Sequence, residues 1–396
     1  MKYSQHLKEN NVKLPAAFVD LEAFDQNVQR VAETLKGLPF TVRVATKSIR
    51  VPELIKRVLD FGAPYKGLMC YSAEEALFLS QHGFDDFLVA YPTLAHHEIE
   101  GLVKLCRDGK KVSLVCDDWR QIEVVQKISA QHLRAGQKFS VLLEIDLSVR
   151  LGPLVLGVRR SPLRDIDAVL GLIRKIQSLS AVQFSGFMAY EAHVAGVGDQ
   201  NPFKKALSFI LKPFRRWSMK KVVEKRKALF EACRNNQISF EIFNGGGTGS
   251  TQWHNDEAKV LTEVTVGSGF LCSHLFDYYS NFQPIQAGFF ALQAVRQPEE
   301  GWYTCSGGGY VASGEPGLDR LPRPLEAEMS LSGFEGTGEV QTPVQTKNKI
   351  SLGDPIVFRP AKAGEWLERF NEVHLFEKGR HQKSVKTYRG FGQCYF

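Results

Sequence analysis

Short runs of β-branched and other apolar residues recur along the first two-thirds of this chain, and stretches with helical periodicity separate them. Most of these runs are apolar throughout and do not alternate with polar residues. Strands that are buried on both faces and are separated by roughly ten or more helical residues are typical of a parallel sheet covered by helices. Eight or nine such units favour a (β/α)8 barrel over an open doubly wound sheet.

The predicted strands and helices have recognisable ends. Ser72 opens the segment SAEEALFLSQHG with Glu75 at the third helical position, which indicates a capping box, and Gly83 closes it.

The strand candidates, in chain order, are AFVDL from Ala17, FTVRVA from Phe40, GLMCY from Gly67, DFLVA from Asp86, VSLVC from Val112, FSVLLEID from Phe139, VQFSGFM from Val182, FEIFN from Phe240 and EVTV from Glu263.

The pattern changes after about residue 275. Glycine and proline become frequent, helical periodicity disappears, and short strand candidates follow, such as PIVFRP from Pro355 and EVHLF from Glu372. We therefore expect a barrel over residues 15–275. A mainly β domain would cover residues 276–396, to which residues 1–14 could be added.

Composition excludes several protein classes. The 396 residues are 43% hydrophobic and 23% charged, as in ordinary globular proteins. No stretch approaches ~18 uninterrupted apolar residues, so we expect no membrane span. The start, MKYSQHLKEN, lacks the apolar stretch of a signal peptide, and the seven cysteines are scattered without a C-x-x-C pair. A cytoplasmic enzyme without disulfides or a zinc ribbon is expected.

The formal charge of +7 has a local source. Ten lysines or arginines and a single acid, Glu224, lie between Lys204 and Lys227. The solvated face of an amphipathic helix is the favoured interpretation, and contact with an anionic membrane or protein surface is the alternative. No nucleic-acid-binding motif accompanies the charge, so we do not expect a nucleic-acid partner.

A lysine stands at the end of one predicted strand. The strand from Phe40 continues into RVATKS, and the carboxyl ends of barrel strands form the active-site face. Lys47 would lie there, where an amine can form a Schiff base with a carbonyl compound. A surface lysine at a strand end is the alternative.

A glycine-rich segment directly follows the strand FEIFN. Its sequence, NGGGTGST over residues 244–251, is neither a Walker loop nor a G-x-G-x-x-G dinucleotide loop. Glycines let several backbone amides point at one anion, and barrels commonly hold a phosphate after their last strands. Gly267 and Gly269 in VGSGF could complete the same site. A lysine amine together with a phosphate loop suggests pyridoxal 5'-phosphate.

These motifs, in this order, resemble the alanine-racemase-like pyridoxal-phosphate enzymes, in particular the branch of D-threonine aldolases and D-serine dehydratases. The resemblance implies a (β/α)8 TIM barrel of the alanine racemase type, a C-terminal mainly β domain and a homodimer. It runs through PAAFVDLEAFDQNV, RVATKS, SAEEALFLSQHGFDDFLVAYPT, LEIDLSVRLG, NGGGTGST, VTVGSGF and GDPIVFRPAKAGEWLERFNEVHLF.

The resemblance also implies roles for individual residues. Lys47 would form the Schiff base with the cofactor, and Arg150 would lie near the cofactor's ring oxygen. Tyr190 and His193, in MAYEAH, would face the ring or the substrate, and a structural histidine is the alternative for His193. The residues that would bind the phosphate are Gly246, Gly247, Thr248, Gly267 and Ser268.

The sequence departs from the family pattern in two respects. Thr265 stands where alanine racemases have an arginine on the pyridine nitrogen, so the ring should be a weaker electron sink. The aldolase and dehydratase branch binds its metal through the second and third named residues of a Pro-x-His-x-Cys or Pro-x-His-x-Asp motif. Here the motif reads Pro360, Lys362 and Gly364, so both metal ligands are replaced. His374 lies in the following strand and does not take over, so we expect no divalent-metal site.

We therefore expect a pyridoxal-phosphate lyase that dehydrates or cleaves a small β-hydroxy D-amino acid. Lys47, Lys362 and His193 are the expected catalytic residues. Lys362 would supply the positive charge or proton that the metal supplies in relatives, unless it is a surface lysine paired with Glu365. The alternatives are an amino-acid racemase of the same fold, a pyridoxal-phosphate carrier without turnover, and a barrel that acts on a phosphorylated metabolite.

Overall fold

The computed structural model describes residues 2–152, 154–280 and 282–395. The helices are α1 (Lys2–Glu9), α2 (Leu21–Thr34), α3 (Pro52–Asp60), α4 (Ala73–Gln81), α5 (His96–Arg107), α6 (Trp119–His132), α7 (Ile166–Gln177), α8 (Ala192–Ala195), α9 (Lys205–Asn235) and α10 (Ser268–Leu271). The strands are β1 (Ala16–Asp20), β2 (Thr41–Ala45), β3 (Tyr65–Cys70), β4 (Phe87–Val89), β5 (Val112–Cys116), β6 (Phe139–Glu144), β7 (Val149–Leu151), β8 (Leu154–Leu156), β9 (Val182–Met188), β10 (Ile242–Gly245), β11 (Glu263–Val266), β12 (Gly288–Glu299), β13 (Trp302–Ser306), β14 (Arg323–Pro324), β15 (Met329–Leu331), β16 (Gln341–Thr346), β17 (Pro355–Arg359), β18 (Glu372–Glu377) and β19 (Arg380–Lys386).

Eight parallel strands close into a barrel in the order β2, β3, β4, β5, β6, β9, β10 and β11, and β11 pairs back onto β2. The predicted alanine-racemase-type barrel is therefore confirmed, and eight of the nine predicted runs form its wall. Gly186 in β9 has φ +147°, and a Cβ there would lie 1.7 Å from the Ile242 carbonyl oxygen. Only glycine permits this close approach of β9 and β10.

The ninth run, β1, does not belong to the barrel. It pairs antiparallel with β12 and parallel with β18 inside a nine-stranded sheet. The expected boundary at residue 15 is wrong in this respect, because a strand buried on both faces gives no signal of which sheet it joins. Phe18 stacks on Phe289 of β12, and Tyr3 of α1 packs on both rings.

The nine-stranded sheet runs β15-β16-β13-β12-β1-β18-β19, and β17 joins it by pairing with β12 and β14. It contacts the barrel near the end of β2. The Tyr388 hydroxyl donates to the Glu75 carboxylate on α4 at 2.8 Å, and Arg50 pairs with Glu368 at 2.7 Å. A Cβ on Gly364 would lie 2.2 Å from the Lys47 carbonyl oxygen. The β domain is therefore packed directly against the turn that carries Lys47.

Helix α9 contains most of the basic stretch. Lys212, Arg216 and Lys220 are exposed, as the solvated-face prediction requires, and the side chains of residues 204–210 lie outside the described part. Arg215 and Arg226 depart from that prediction, because both are fully buried against carboxylates. In the described part of the chain, no helix has the length and the apolar character that crossing a membrane requires.

Candidate active site

A cavity of ≈ 110 Å³ opens at the carboxyl ends of the barrel strands. Lys47 reaches it from the single helical turn Thr46–Ser48 that directly follows β2. Most of the residues predicted to bind the cofactor contribute to its wall. They are Lys47, Tyr190, Gly246, Gly247, Thr248, Thr265, Gly267 and Ser268.

Lys47 contacts a tyrosine that the sequence analysis did not single out. Its Nζ donates a hydrogen bond to the Tyr91 hydroxyl at 2.8 Å. The Arg160 guanidinium lies 5.7 Å from the centre of the same ring. Burial alone would raise the pKa of Tyr91, but the charges of Lys47 and Arg160 outweigh it and lower that pKa. The Tyr91 oxygen is thus a hydrogen-bond acceptor for the Lys47 ammonium.

The two glycine segments lie together on one side of the cavity. The Thr248 hydroxyl accepts hydrogen bonds from the backbone N–H groups of Gly267 and Gly269, at 3.4 and 3.2 Å. A Cβ on Gly247 would lie 2.9 Å from both Ala195 Cβ and the Tyr190 ring. This crowding explains why residue 247 has no side chain, and both glycine segments line the same cavity as Lys47.

Thr265 lies on the cavity floor. Its hydroxyl accepts a hydrogen bond at 2.8 Å from the Asn244 amide, which also donates to Glu263 at 2.8 Å. Because the Asn244 donor occupies one lone pair of Thr265, the threonine can still donate its own proton into the cavity. Thr265 therefore contributes a neutral hydroxyl donor to the cavity wall.

Two predicted residues are not at the cavity. Arg150 lies exposed in the β7–β8 hairpin and does not line the cavity, whereas Arg160 does, so the role of Arg150 stays a prediction. The His193 side chain, on α8, is buried behind the cavity wall and does not line it. Its Nε2 has no hydrogen-bond partner among the described residues, and burial lowers its pKa. Contact between His193 and a ligand is therefore not supported by this geometry.

Lys362 lines a second, outer cavity of ≈ 680 Å³ that Lys47 also borders. Its Nζ donates to the Ser313 hydroxyl at 2.8 Å and lies 3.4 Å from a Glu365 carboxylate oxygen. The ammonium thus faces the same space as Lys47, and Glu365 partly balances its charge.

The described residues contain one group of histidine and carboxylate side chains with the spacing of metal ligands: Glu74, His97 and Glu98. Two of the three are exposed, and none lines the Lys47 cavity. His374 is also elsewhere, on β18, where it bonds the Ser384 hydroxyl at 2.8 Å. Neither the Glu74, His97 and Glu98 group nor His374 lines the cavity beside Lys47.

Sequence reasoning missed Tyr91, Arg160, Ser48 and Asn244, which all line the cavity. Tyr91 follows β4 and Asn244 lies near the end of β10, so the position of each at a strand end could have indicated them. Arg160 could not be found in this way, because its place depends on how the segment after β8 folds back over the barrel.

The donors present fit pyridoxal 5'-phosphate. The cofactor's aldehyde requires an amine, which Lys47 offers, and its phosphate requires N–H and O–H donors. The Ser48 and Ser268 hydroxyls, 3.1 Å apart, provide O–H donors in the same cavity, and the backbone of Thr248 and Ser268 lines it between the glycines.

Comparison with known proteins agrees with this arrangement. The family described as "Alanine racemase, N-terminal domain" matches residues 19–272. The D-threonine aldolase of Arthrobacter sp. is 24% identical over 257 residues, which are 65% of this chain and 60% of that protein. The chain thus spans about three-fifths of this relative's length.

Solved structures share the fold over nearly the whole chain. The crystal structure of D-threonine aldolase from Filomicrobium marinum superposes with a TM-score of 0.82 at 19% identity and covers 96% of both chains. The D-threo-3-hydroxyaspartate dehydratase from Delftia sp. HT23 gives 0.74 at 16% identity and covers 95% of this chain and 97% of its own. The β domain is therefore part of the shared fold.

Proposed function

Because the chain belongs to the family of the alanine racemase N-terminal domain, we propose that it is a pyridoxal-phosphate-dependent lyase acting on a small β-hydroxy D-amino acid. The observation that carries this proposal is the placement of the Lys47 amine and both glycine segments in one cavity at the barrel mouth. The names of the relatives, an aldolase and a dehydratase of β-hydroxy D-amino acids, support the substrate class.

When bound, pyridoxal 5'-phosphate supplies a ring that withdraws electrons from the bonds around the substrate's α-carbon. Lys47 would hold the cofactor through its amine. Tyr91 accepts a hydrogen bond from Nζ at 2.8 Å and so orients that amine. Thr265 would offer a hydroxyl instead of a cation to the ring, so the ring would be a weaker electron sink and long-lived carbanions would be disfavoured.

Lys362 would act on the substrate from the outer cavity. Its ammonium borders the outer cavity and supplies a proton or a positive charge to the substrate's β-oxygen. This role replaces the divalent metal, because the residues at the metal positions of the branch, Lys362 and Gly364, are not metal ligands. In dehydration, the Lys47 amine would take the α-proton and the Lys362 ammonium would protonate the leaving hydroxide to give water. In retro-aldol cleavage, a neutral Lys362 amine would instead take the β-hydroxyl proton as the Cα–Cβ bond breaks and an aldehyde leaves.

The proposal is tested by turnover of defined amino acids. Protein loaded with pyridoxal 5'-phosphate and dialysed against chelator is incubated with D- and L-threonine, D-serine and the 3-hydroxy-D-aspartates. Keto acid, aldehyde and enantiomer formation are then measured. We expect keto acid or aldehyde from D-isomers only. Enantiomer formation would instead establish a racemase, cofactor binding without any product a carrier, and activity that needs added zinc a metal enzyme.

We further propose a homodimer with two-fold symmetry in which the β domain of one subunit completes the barrel mouth of the other. The outer cavity beside Lys362 is open in the single chain, and a second subunit could close it. Light scattering should give twice the chain mass. A monomer with full activity would contradict the proposal that each active site is built from two subunits.

A further inference from the structure

Two arginines of the basic helix α9 are buried against the glycine loop, here defined as residues 244–251. Arg226 has no exposed side-chain surface and pairs with Glu191 and with Glu257, the latter at 2.9 Å. Arg215 is equally buried, and its guanidinium donates to the Gly249 carbonyl at 3.1 Å. Arginines on a solvated helix face would be exposed, whereas these two are buried and hydrogen-bonded.

Glu191 links Arg226 to the beginning of the glycine loop. Its carboxylate accepts hydrogen bonds from the Gly246 N–H at 3.1 Å and from the Ser250 hydroxyl at 2.5 Å. The Ser250 oxygen in turn accepts from the Gly247 N–H at 3.1 Å. Burial would raise the pKa of Glu191, but Arg226 and the surrounding donors hold it at about 2, so the carboxylate is ionised.

Arg215 holds the other end of the loop. Its second contact is the Val194 carbonyl on α8 at 3.2 Å, and Asp199 lies 3.3 Å away as its counter-ion. The guanidinium lies 4.7 Å from the Trp253 ring centre and 5.0 Å from that of Tyr279. The two aromatic rings and the hydrogen-bond acceptors around it therefore hold the Arg215 guanidinium in one orientation.

We propose that Glu191, Arg226 and Arg215 are positioning residues that hold both ends of the glycine loop in the conformation that binds a phosphate group. The proposal goes beyond the cofactor assignment and rests on the proposed function only for the identity of the phosphate compound. A glycine-rich loop has more conformations to lose than other segments, so fixing it beforehand lowers the entropic cost of binding. None of the three side chains lines the Lys47 cavity.

The test separates the phosphate from the rest of the cofactor. Apoprotein is titrated with pyridoxal 5'-phosphate, with pyridoxal and with inorganic phosphate, the last by competition, and thermal unfolding is recorded. The variants are Glu191→Gln and Arg215→Lys. The matched control is Arg216→Gln, an exposed position on the same helix.

In both variants we expect the affinities for pyridoxal 5'-phosphate and inorganic phosphate to fall by ~10-fold or more, the usual effect of losing a charge-assisted hydrogen bond. Affinity for pyridoxal should change by less than ~3-fold, and Arg216→Gln should match the wild type throughout. An equal loss for pyridoxal and its phosphate would overturn the proposal, because it would indicate general loosening of the fold.

The outcomes also distinguish this proposal from the proposed function. Wild-type protein that binds inorganic phosphate in a Glu191-dependent manner but does not bind pyridoxal 5'-phosphate would refute the cofactor assignment and retain the loop proposal. Wild-type protein that binds the cofactor while both variants bind it equally well would refute the loop proposal alone. If Glu191→Gln does not fold, Arg215→Lys decides the question.

Discussion

Replacing Lys362 by methionine should abolish most turnover while leaving the fold intact. The Nζ atom lies 3.4 Å from Glu365, and about a third of the side chain is exposed (36%). Ion pairs exposed to this degree contribute about 0–1 kcal/mol, so the free energy of unfolding should fall by less than ~1 kcal/mol. Loss of one general acid, in contrast, lowers turnover by ~10²–10⁴-fold.

The assay compares kcat, KM and cofactor affinity of Lys362→Met with the wild type on the best D-amino acid found. Urea unfolding is measured in parallel. Lys56→Met is the matched control, because Lys56 is an exposed lysine that pairs with Asp60 at 2.8 Å on α3, away from both cavities. We expect kcat to fall only in Lys362→Met, with cofactor affinity unchanged in both variants.

Unchanged kcat in Lys362→Met would refute the role of this lysine and would identify it as a surface residue paired with Glu365. A loss of more than ~2 kcal/mol in unfolding free energy would refute the structural half of the reasoning, because an ion pair with about a third of its surface exposed should not contribute so much.

Two further predictions concern buried charges. Arg43→Met leaves the buried Glu263 without its cation and should lower the free energy of unfolding by about 3–5 kcal/mol. Arg57→Met, which breaks a half-exposed pair, should lower it by less than ~1 kcal/mol. Equal losses for the two variants in urea unfolding would contradict the burial argument. Burial, opposed by Arg160, raises the pKa of Glu144 to about 7, so its contribution to stability is full below pH ~4.5 and is lost as the pH rises through 7. Glu144→Gln should therefore gain stability relative to the wild type between pH 5 and pH 8, and a constant difference would disprove the assignment.

The barrel could be predicted because each of its strands is encoded locally. An apolar run followed by a helical pattern is visible without any knowledge of neighbours, and eight runs formed the wall as expected. The run at β1 looked the same but joined the other sheet. Its partners lie more than 250 residues away, at β12 and β18, and nothing in its own sequence indicates them.

Some residues of the candidate site could likewise be predicted from the sequence, and others could not. Lys47 and the glycine segments follow strands directly, so their position at the barrel mouth could be inferred from the sequence. Arg160 could not, since its place depends on the fold of the segment after β8 rather than on a strand end. The buried arginines of α9 were hidden for another reason: ten basic residues in one stretch predict a solvated face, and only the three-dimensional structure shows which ones turn inward.

The most direct test of the central proposal is the identity of the residue that binds the cofactor. Protein loaded with pyridoxal 5'-phosphate is reduced with borohydride, digested and mapped by mass spectrometry. The geometry of the cavity predicts one phosphopyridoxyl group, on the peptide containing Lys47, and none in Lys47→Ala. A label on another lysine, or no label in loaded wild-type protein, would contradict the proposal that Lys47 holds this cofactor.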